Sequence, residues 1–378
     1  MDKRFQKRIP TIPETVIKLG QIDDLKGQWR GGIAINPQIL GKLKKSVIIT
    51  SSGASTRIEG AKMTDIEVER FLRALKSNPP ENRDEEEVAG YANLLGRIFD
   101  NWKTLKLSES FILQFHEILL HYSDKDKLHK GKYKSKENLV VARNKEGKQV
   151  VIFEPTEPWL VKKEMDDVLY WANETMEKKT LHPLLIIANF IFEFLAIHPF
   201  QDGNGRLSRA LTNLLLLKAG YEYTPYISLE EIIENKKDAY YASLRQTQKN
   251  HKTEKENIGP WLSFFLDVLL EQGKKAQELM ENDDPVKLLS ERQLQVYSLF
   301  NTKSLAVMAI KEKLPKVPEA TIKQSLARLV SLKLIERIGL GRATRYVKTK
   351  LLSFQIYPKI WYINIILMLS NSSSHFVH

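Results

Sequence analysis

The stretch His198-Pro199-Phe200-Gln201-Asp202-Gly203-Asn204-Gly205-Arg206-Leu207-Ser208-Arg209 decides how the chain is read. Before it, Pro183 to Ile197 is apolar nearly all round (Leu184, Leu185, Ile186, Ile187, Phe190, Ile191, Phe194, Leu195), which predicts a buried central helix. After it, Leu207 to Lys218 carries Leu211, Leu214, Leu215, Leu216 and Leu217 and closes at Gly220 behind a basic last turn, a second buried helix. Pro199 disfavours helical geometry at His198, so the first helix ends there and a glycine-rich loop feeds the second. Free N–H groups and the positive end of the dipole make such a junction an anion cradle. Gly203 and Gly205 let backbone approach a phosphate, Asn204 offers an amide, and Arg206 and Arg209 share one helix face. Asp202 is a hard oxygen ligand suited to a Mg²⁺ that bridges phosphates, and His198 is a titratable base at the rim.

Taken singly, each residue has a plainer explanation: a turn glycine, a core histidine, a solvated arginine pair. Their density argues otherwise. Burying so many polar groups unpaired between two apolar helices costs several kcal/mol, roughly 2–7 for each unpaired group, so a ligand is expected there. A dinucleotide-binding fingerprint does not fit, because a helix precedes the glycines and Ser208 holds the third glycine position.

The string resembles the motif of the Fic (filamentation induced by cAMP) family, His-Pro-Phe-x-(Asp/Glu)-Gly-Asn-Gly-Arg-x-x-Arg, at every defining position. The helical segments around it, roughly residues 85–270, resemble the Fic helical core. That resemblance implies transfer of AMP from ATP to a Tyr, Thr or Ser hydroxyl of a protein. His198 would then be the base, Asp202 the Mg²⁺ ligand, and Phe200 the apolar anchor of the loop. Gly203, Asn204 and Gly205 would cradle phosphate oxygens, Arg206 would bind the inner phosphates and Arg209 the γ-phosphate. Tyr240 and Tyr241 resemble the aromatics lining the adenine pocket, although packing would explain them almost as well. The stretch Asn138 to Pro155, with Leu139-Val140-Val141 and Val150-Val151-Ile152-Phe153 around a turn, predicts a β-hairpin and resembles the family's flap, which pairs with the target segment. Ser55-Thr56-Arg57-Ile58-Glu59-Gly60 resembles the family's inhibitory motif, which implies that Ser55 and Glu59 restrain the site, Glu59 by a bidentate ion pair to Arg209.

The rest of the chain fits a mainly α protein. Its 378 residues, 42% apolar and 28% charged, suit two or three packed domains of roughly 100–200 residues each. With no cysteine, disulfides, thiolate metal sites and a cysteine nucleophile are excluded, and a cytoplasmic location is expected. The start lacks a signal-peptide core, and no run of ~18 apolar residues calls for a membrane span. Residues 1–40, with early prolines and glycines near Trp29, read as an extended arm. Thr64-x-x-Glu67 predicts a capped helix, as does Ser108 before Phe111, with another helix from about Glu85 to Trp102.

Residues 285–350 hold 14 Lys or Arg against four Glu, a local charge of +10 out of the chain's +12. Three short helices and a hairpin are predicted there, the plan of a winged helix-turn-helix. That predicts nucleic-acid contact through Lys323, Gln324 and Arg328, with Arg342 and Arg345 on the wing, or a protein-interaction module. The expected divisions are thus 1–105 (arm and inhibitory helical region), 106–280 (Fic core), 285–350 (winged helix) and 351–378, a tail with the apolar run Trp361 to Leu369. Two other readings stand beside transfer: a DNA-binding regulator whose nucleotide site senses or modifies only itself, and a Fic enzyme that removes AMP or transfers another phosphate-containing group. A homodimer is compatible with all three.

Overall fold

The computed structural model describes residues 4–10, 12–32, 37–138, 140–143, 149–281, 290–300, 304–331, 334–339 and 341–349. The chain divides into two compact units, Met1–Asp283 and Asp284–His378. The apolar tail and residues 282–289 lie outside the described residues.

The first unit is almost wholly helical. A short turn, α1 (Arg4–Lys7), is followed by α2 (Pro13–Gly32) and α3 (Pro37–Ile58). Most of the expected extended arm, residues 1–40, is therefore the long helix α2, with the start of α3 at its end. Pro13 and Pro37 each take the first helical position, where the missing N–H is no loss. Leu19, Ile22, Leu25 and Trp29 then fall on one buried face of α2. Next come α4 (Asp65–Ala74), opened by the Thr64–Glu67 capping box, α5 (Arg83–Asn101), and α6 (Glu109–Leu119), capped by Ser108. The hairpin forms as β1 (Val140–Arg143) antiparallel to β2 (Gln149–Phe153), with Val141 opposite Val151; its turn lies outside the described residues.

Helices α7 (Pro158–Lys178), α8 (Pro183–Ile197), α9 (Asn204–Lys218), α10 (Leu229–Asn235), α11 (Lys237–Gln248) and α12 (Gly259–Glu281) complete the unit. Both central helices are buried as their sequences demand: every residue of α8 from Ile186 to Ile197, and every residue of α9 except Gly205 and Lys218. Each large aliphatic side chain so placed contributes roughly 1.5–3 kcal/mol. Two polar residues interrupt α8, and the chain's N-terminus meets them. Arg8 Nε donates to Asn189 Oδ1 at 2.8 Å, and Glu193 accepts from Arg8 and, at 2.6 Å, from Arg4.

The second unit contains α13 (Glu291–Tyr297), α14 (Val307–Lys313), α15 (Glu319–Ser331) and an antiparallel pair, β3 (Ile335–Ile338) with β4 (Arg345–Lys348). Its own core gathers Phe300, Ile310, Ile322, Leu326, Leu329 and Ile335. Leu305 bridges to Tyr346, tying the stretch before α14 to the hairpin.

Candidate active site

At the end of α8, His198 turns left-handed, with φ 51° and ψ 61°. A non-glycine residue pays roughly 1–2 kcal/mol for that conformation, so the surroundings must hold it. Its N–H still donates to Phe194 O at 3.0 Å, finishing the helix. Its Nδ1–H donates to Leu195 O at 3.3 Å, which leaves the Nε2 lone pair as the free face of the ring. Burial, with the Lys134 ammonium adding to it, pushes the imidazole down to about 4, so it is neutral at physiological pH.

Phe200 anchors the loop from below. It is fully buried and stacks on the His116 ring at 3.8 Å between centroids. Asn204, also buried, uses both ends of its amide on the same residue: Phe200 N–H donates to Oδ1 at 2.9 Å, and Nδ2 donates to Phe200 O at 2.7 Å. The side chain expected to face phosphate instead staples the loop, because Phe200's backbone groups are buried and need partners.

Gly203 is the N-cap of α9 at φ 81°, a region open to glycine, and it leaves the first N–H groups of α9 without a side-chain cap. Beside it, Asp202 Oδ1 accepts from Gly203 N–H at 2.6 Å and Arg206 NH2 at 3.1 Å, while Oδ2 accepts from Arg83 at 3.3 Å. Burial works against its charge, but Arg206, the Gly203 N–H and Arg83 outweigh that and hold the carboxyl below its ordinary range. A half-buried, ionised carboxylate next to the uncapped start of α9 fits Mg²⁺, which takes one or two protein carboxylates and completes its shell from other oxygen ligands. A second acidic group, Glu193 with His251 and Glu256, has ligand-like spacing, but Arg4 and Arg8 already neutralise it.

Arg206 and Arg209 are both 2% exposed. Arg206 pairs with Asp202 and, at 3.3 Å, with Glu87. Arg209 reaches α3: Nε donates to Ser55 Oγ and NH2 to Ser55 O, both at 2.9 Å, and NH2 also donates to Glu59 Oε1 at 2.8 Å. The pair with Glu59 is thus single-pronged, where a bidentate one was expected. Ser55 occupies the Nε edge of the guanidinium, so only its end meets the carboxylate. Burial opposes the charge of Arg209 and Glu59 overcomes it, raising the pKa further. Glu59 Oε1 also lies against Gly205: a Cβ there would stand 2.1 Å from it. Arg206 Nε and Arg209 NH1 are buried without a hydrogen-bond partner among the described residues, whereas Arg206 NH1 is the atom that meets Glu87.

The tyrosines separate. Tyr240 is 3% exposed and packs edge-on to Trp261 at 5.9 Å, so it is a core residue. The cavity beside it, about 20 Å³, has room for one water and not for a purine. Tyr241 is half-buried at the edge of the site, its hydroxyl donating to Ile58 O at 3.1 Å.

Residues that sequence reasoning missed stand behind the loop. His116 Nε2–H donates to Asp202 O at 3.0 Å and its Nδ1 accepts from Gly131 N–H at 3.0 Å. Lys134 and Asn138 contact the loop backbone. These partners lie 60 to 90 positions from the loop, and no local pattern signals such a contact. His116 did carry one sign, a histidine on the apolar side of an amphipathic helix.

A sequence profile of the Fic/DOC family matches residues 106–216. The protein adenylyltransferase fic-1 of Caenorhabditis elegans is 34% identical over 92 residues, 24% of this chain and 17% of that protein. The protein adenylyltransferase Fic of Drosophila melanogaster is 36% identical over 97 residues, 26% of this chain and 17% of that one. The match therefore spans about a sixth of the length of these relatives. A solved structure of a Fic family protein from Desulfovibrio desulfuricans G20 superposes with TM-score 0.60 at 20% identity, covering 90% of this chain and 97% of that one, a likeness of fold.

Proposed function

Because this chain is a Fic domain protein, we propose that it is a protein adenylyltransferase that moves AMP from ATP to a hydroxyl side chain of a target protein and is restrained by its own Glu59. The observation that carries this reading is the pair of orphaned guanidinium nitrogens, Arg206 Nε and Arg209 NH1, beside uncapped N–H groups of α9 and the open lone pair of His198. A buried unpaired donor costs about 1–3 kcal/mol, and a polyphosphate would satisfy all of them at once.

In this reading the target's hydroxyl oxygen bonds to the α-phosphorus, the bond to the bridging oxygen breaks, and pyrophosphate leaves. His198 Nε2 receives the hydroxyl proton. Arg206 holds the inner phosphates and Arg209 the γ-phosphate, while the backbone N–H of Gly205 donates to a phosphate oxygen and that of Gly203 stays on Asp202 Oδ1. Asn204, Phe200 and Ser55 position the loop and the guanidinium rather than the nucleotide, and Tyr241 borders the base. Mg²⁺, held by Asp202, supplies charge neutralisation when bound. Such transfer depends on placement and charge more than on covalent help from the protein. Glu59 competes with the γ-phosphate for Arg209, and a misplacement of order 1 Å costs roughly a hundredfold in rate.

The test compares parent and Glu59→Gly proteins in a cell lysate with ATP, with AMP adducts read by mass spectrometry. The variant should give more adducts on protein hydroxyls. Equal yields would remove the brake, and no adducts with either protein would reject transfer.

The charge of +10 on residues 285–350 favours a second role, contact of this unit with nucleic acid. Lys323 and Arg328 lie on α15 and Arg345 on β4; the Arg342 side chain lies outside the described residues. Arg345→Ala should lower the salt dependence of duplex binding measured by anisotropy. A parent protein that fails to bind duplex would make the unit a protein-interaction module.

A further inference from the structure

The left-handed turn at His198 exposes carbonyls on both sides of the imidazole, and the stem leading into the β-hairpin takes up three of them. Lys134 N–H donates to Pro199 O at 2.9 Å, and its Nζ donates to Ile197 O at 3.4 Å and to Asn138 Oδ1 at 2.7 Å. Asn138 Nδ2 in turn donates to Phe200 O at 2.9 Å. Lys134 is 4% exposed, and no carboxylate forms an ion pair with it among the described residues. Removing an ammonium from water without a counter-ion is costly, so its placement asks for a purpose that packing does not supply.

We propose that Lys134 is a positioning residue for AMP transfer: together with Asn138 it straps the carbonyls of Ile197, Pro199 and Phe200 and so fixes the turn that aims the His198 ring. The proposal rests on the transferase reading above. Because Asn138 stands two residues before β1, the strap also joins the hairpin's base to the catalytic loop, making the two one mechanical unit. The ammonium has an electrostatic consequence too. Of the charged groups around His198, Lys134 disfavours its protonation while Glu59 and Asp202 favour it; Lys134 itself faces Glu164 and Lys252.

The experiment uses the full chain carrying Glu59→Gly, with Lys134→Met and Lys134→Arg added separately. Two readouts are taken: AMP transfer from ATP across pH, and the titration of the His198 imidazole by NMR. Lys134→Met should lower kcat about tenfold or more with KM for ATP changed by less than about twofold, and raise the midpoint of His198. Lys134→Arg, which keeps both the charge and the donors, should restore most of the rate. Unchanged kcat and an unchanged His198 midpoint in Lys134→Met would overturn the proposal. Equal losses in kcat and ATP affinity, with no recovery in Lys134→Arg, would likewise assign Lys134 to folding alone. If the Glu59→Gly parent transfers nothing, the transferase reading fails by itself, and the NMR midpoint still decides whether Lys134 governs His198.

Discussion

His198 does two jobs with one conformation. The left-handed backbone turns the chain out of α8, and the same turn brings Nδ1–H onto Leu195 O so that Nε2 is the free base. Replacing His198 with Ala should therefore lower transfer by at least about a hundredfold while ATP affinity changes little, as a fluorescent ATP analogue would report. With its imidazole held down to about 4, the base is unprotonated throughout the neutral range, and the rate should fall only as pH drops towards that value.

His116 shows the same displacement, also to about 4 and chiefly through burial. A buried histidine kept neutral stabilises the fold fully above its ordinary value of 6.5, and that contribution is lost as pH falls from there towards 4. The loss for His116 is on the order of 3 kcal/mol, since each pH unit of displacement is about 1.4 kcal/mol. Melting temperatures should fall across that window and fall less in His116→Gln. At this scale the motif residues were legible because their types are chemical. Asn204 was not, since an amide able to meet phosphate can equally close its own loop, and only the register of Phe200 shows which.

Helix packing sets where these residues stand. Gly90 of α5 lies so close to α6 that a Cβ would come 1.9 Å from Leu119 O, a backbone atom that cannot swing aside. Gly90→Ala, which would gain about 1 kcal/mol in an open helix, should instead cost about 1–3 kcal/mol. Chemical denaturation measures it, and a stabilised variant would contradict this packing. The buried pair α8 and α9 could be read from the sequence because their apolar residues leave no solvent face. Helix α2 and the start of α3 could not be read from the glycine and proline content of residues 1–40, which suggested an extended arm. The signal was the spacing of Leu19, Ile22 and Trp29, with proline at the first helical position of each. Helix α3 matters for function, because Ser55 and Glu59 reach Arg209 from its last turn and just beyond it. In the proposed reading, it is a helix that delivers the brake.

At the scale of the molecule, the two units have separate cores. A Glu59→Gly chain ending at residue 283 should still melt cooperatively and transfer AMP, while losing any salt-dependent retention on DNA. No helix among the described residues is long and apolar enough to cross a membrane. The charge imbalance of the second unit was plain in the sequence, as were its helices and hairpin. At Tyr240 an aromatic near a site and an aromatic in a core share the same helical spacing, and its burial against Trp261 favours packing. AMP transfer puts the α-phosphorus of ATP, rather than the γ, before His198. Glu59→Gly protein incubated with a lysate and ATP labelled at either the α- or the γ-phosphate should place α-label, and no γ-label, on protein, with none in the Glu59→Gly, His198→Ala double variant. Label arriving from the γ-position, or α-label persisting without His198, would contradict it.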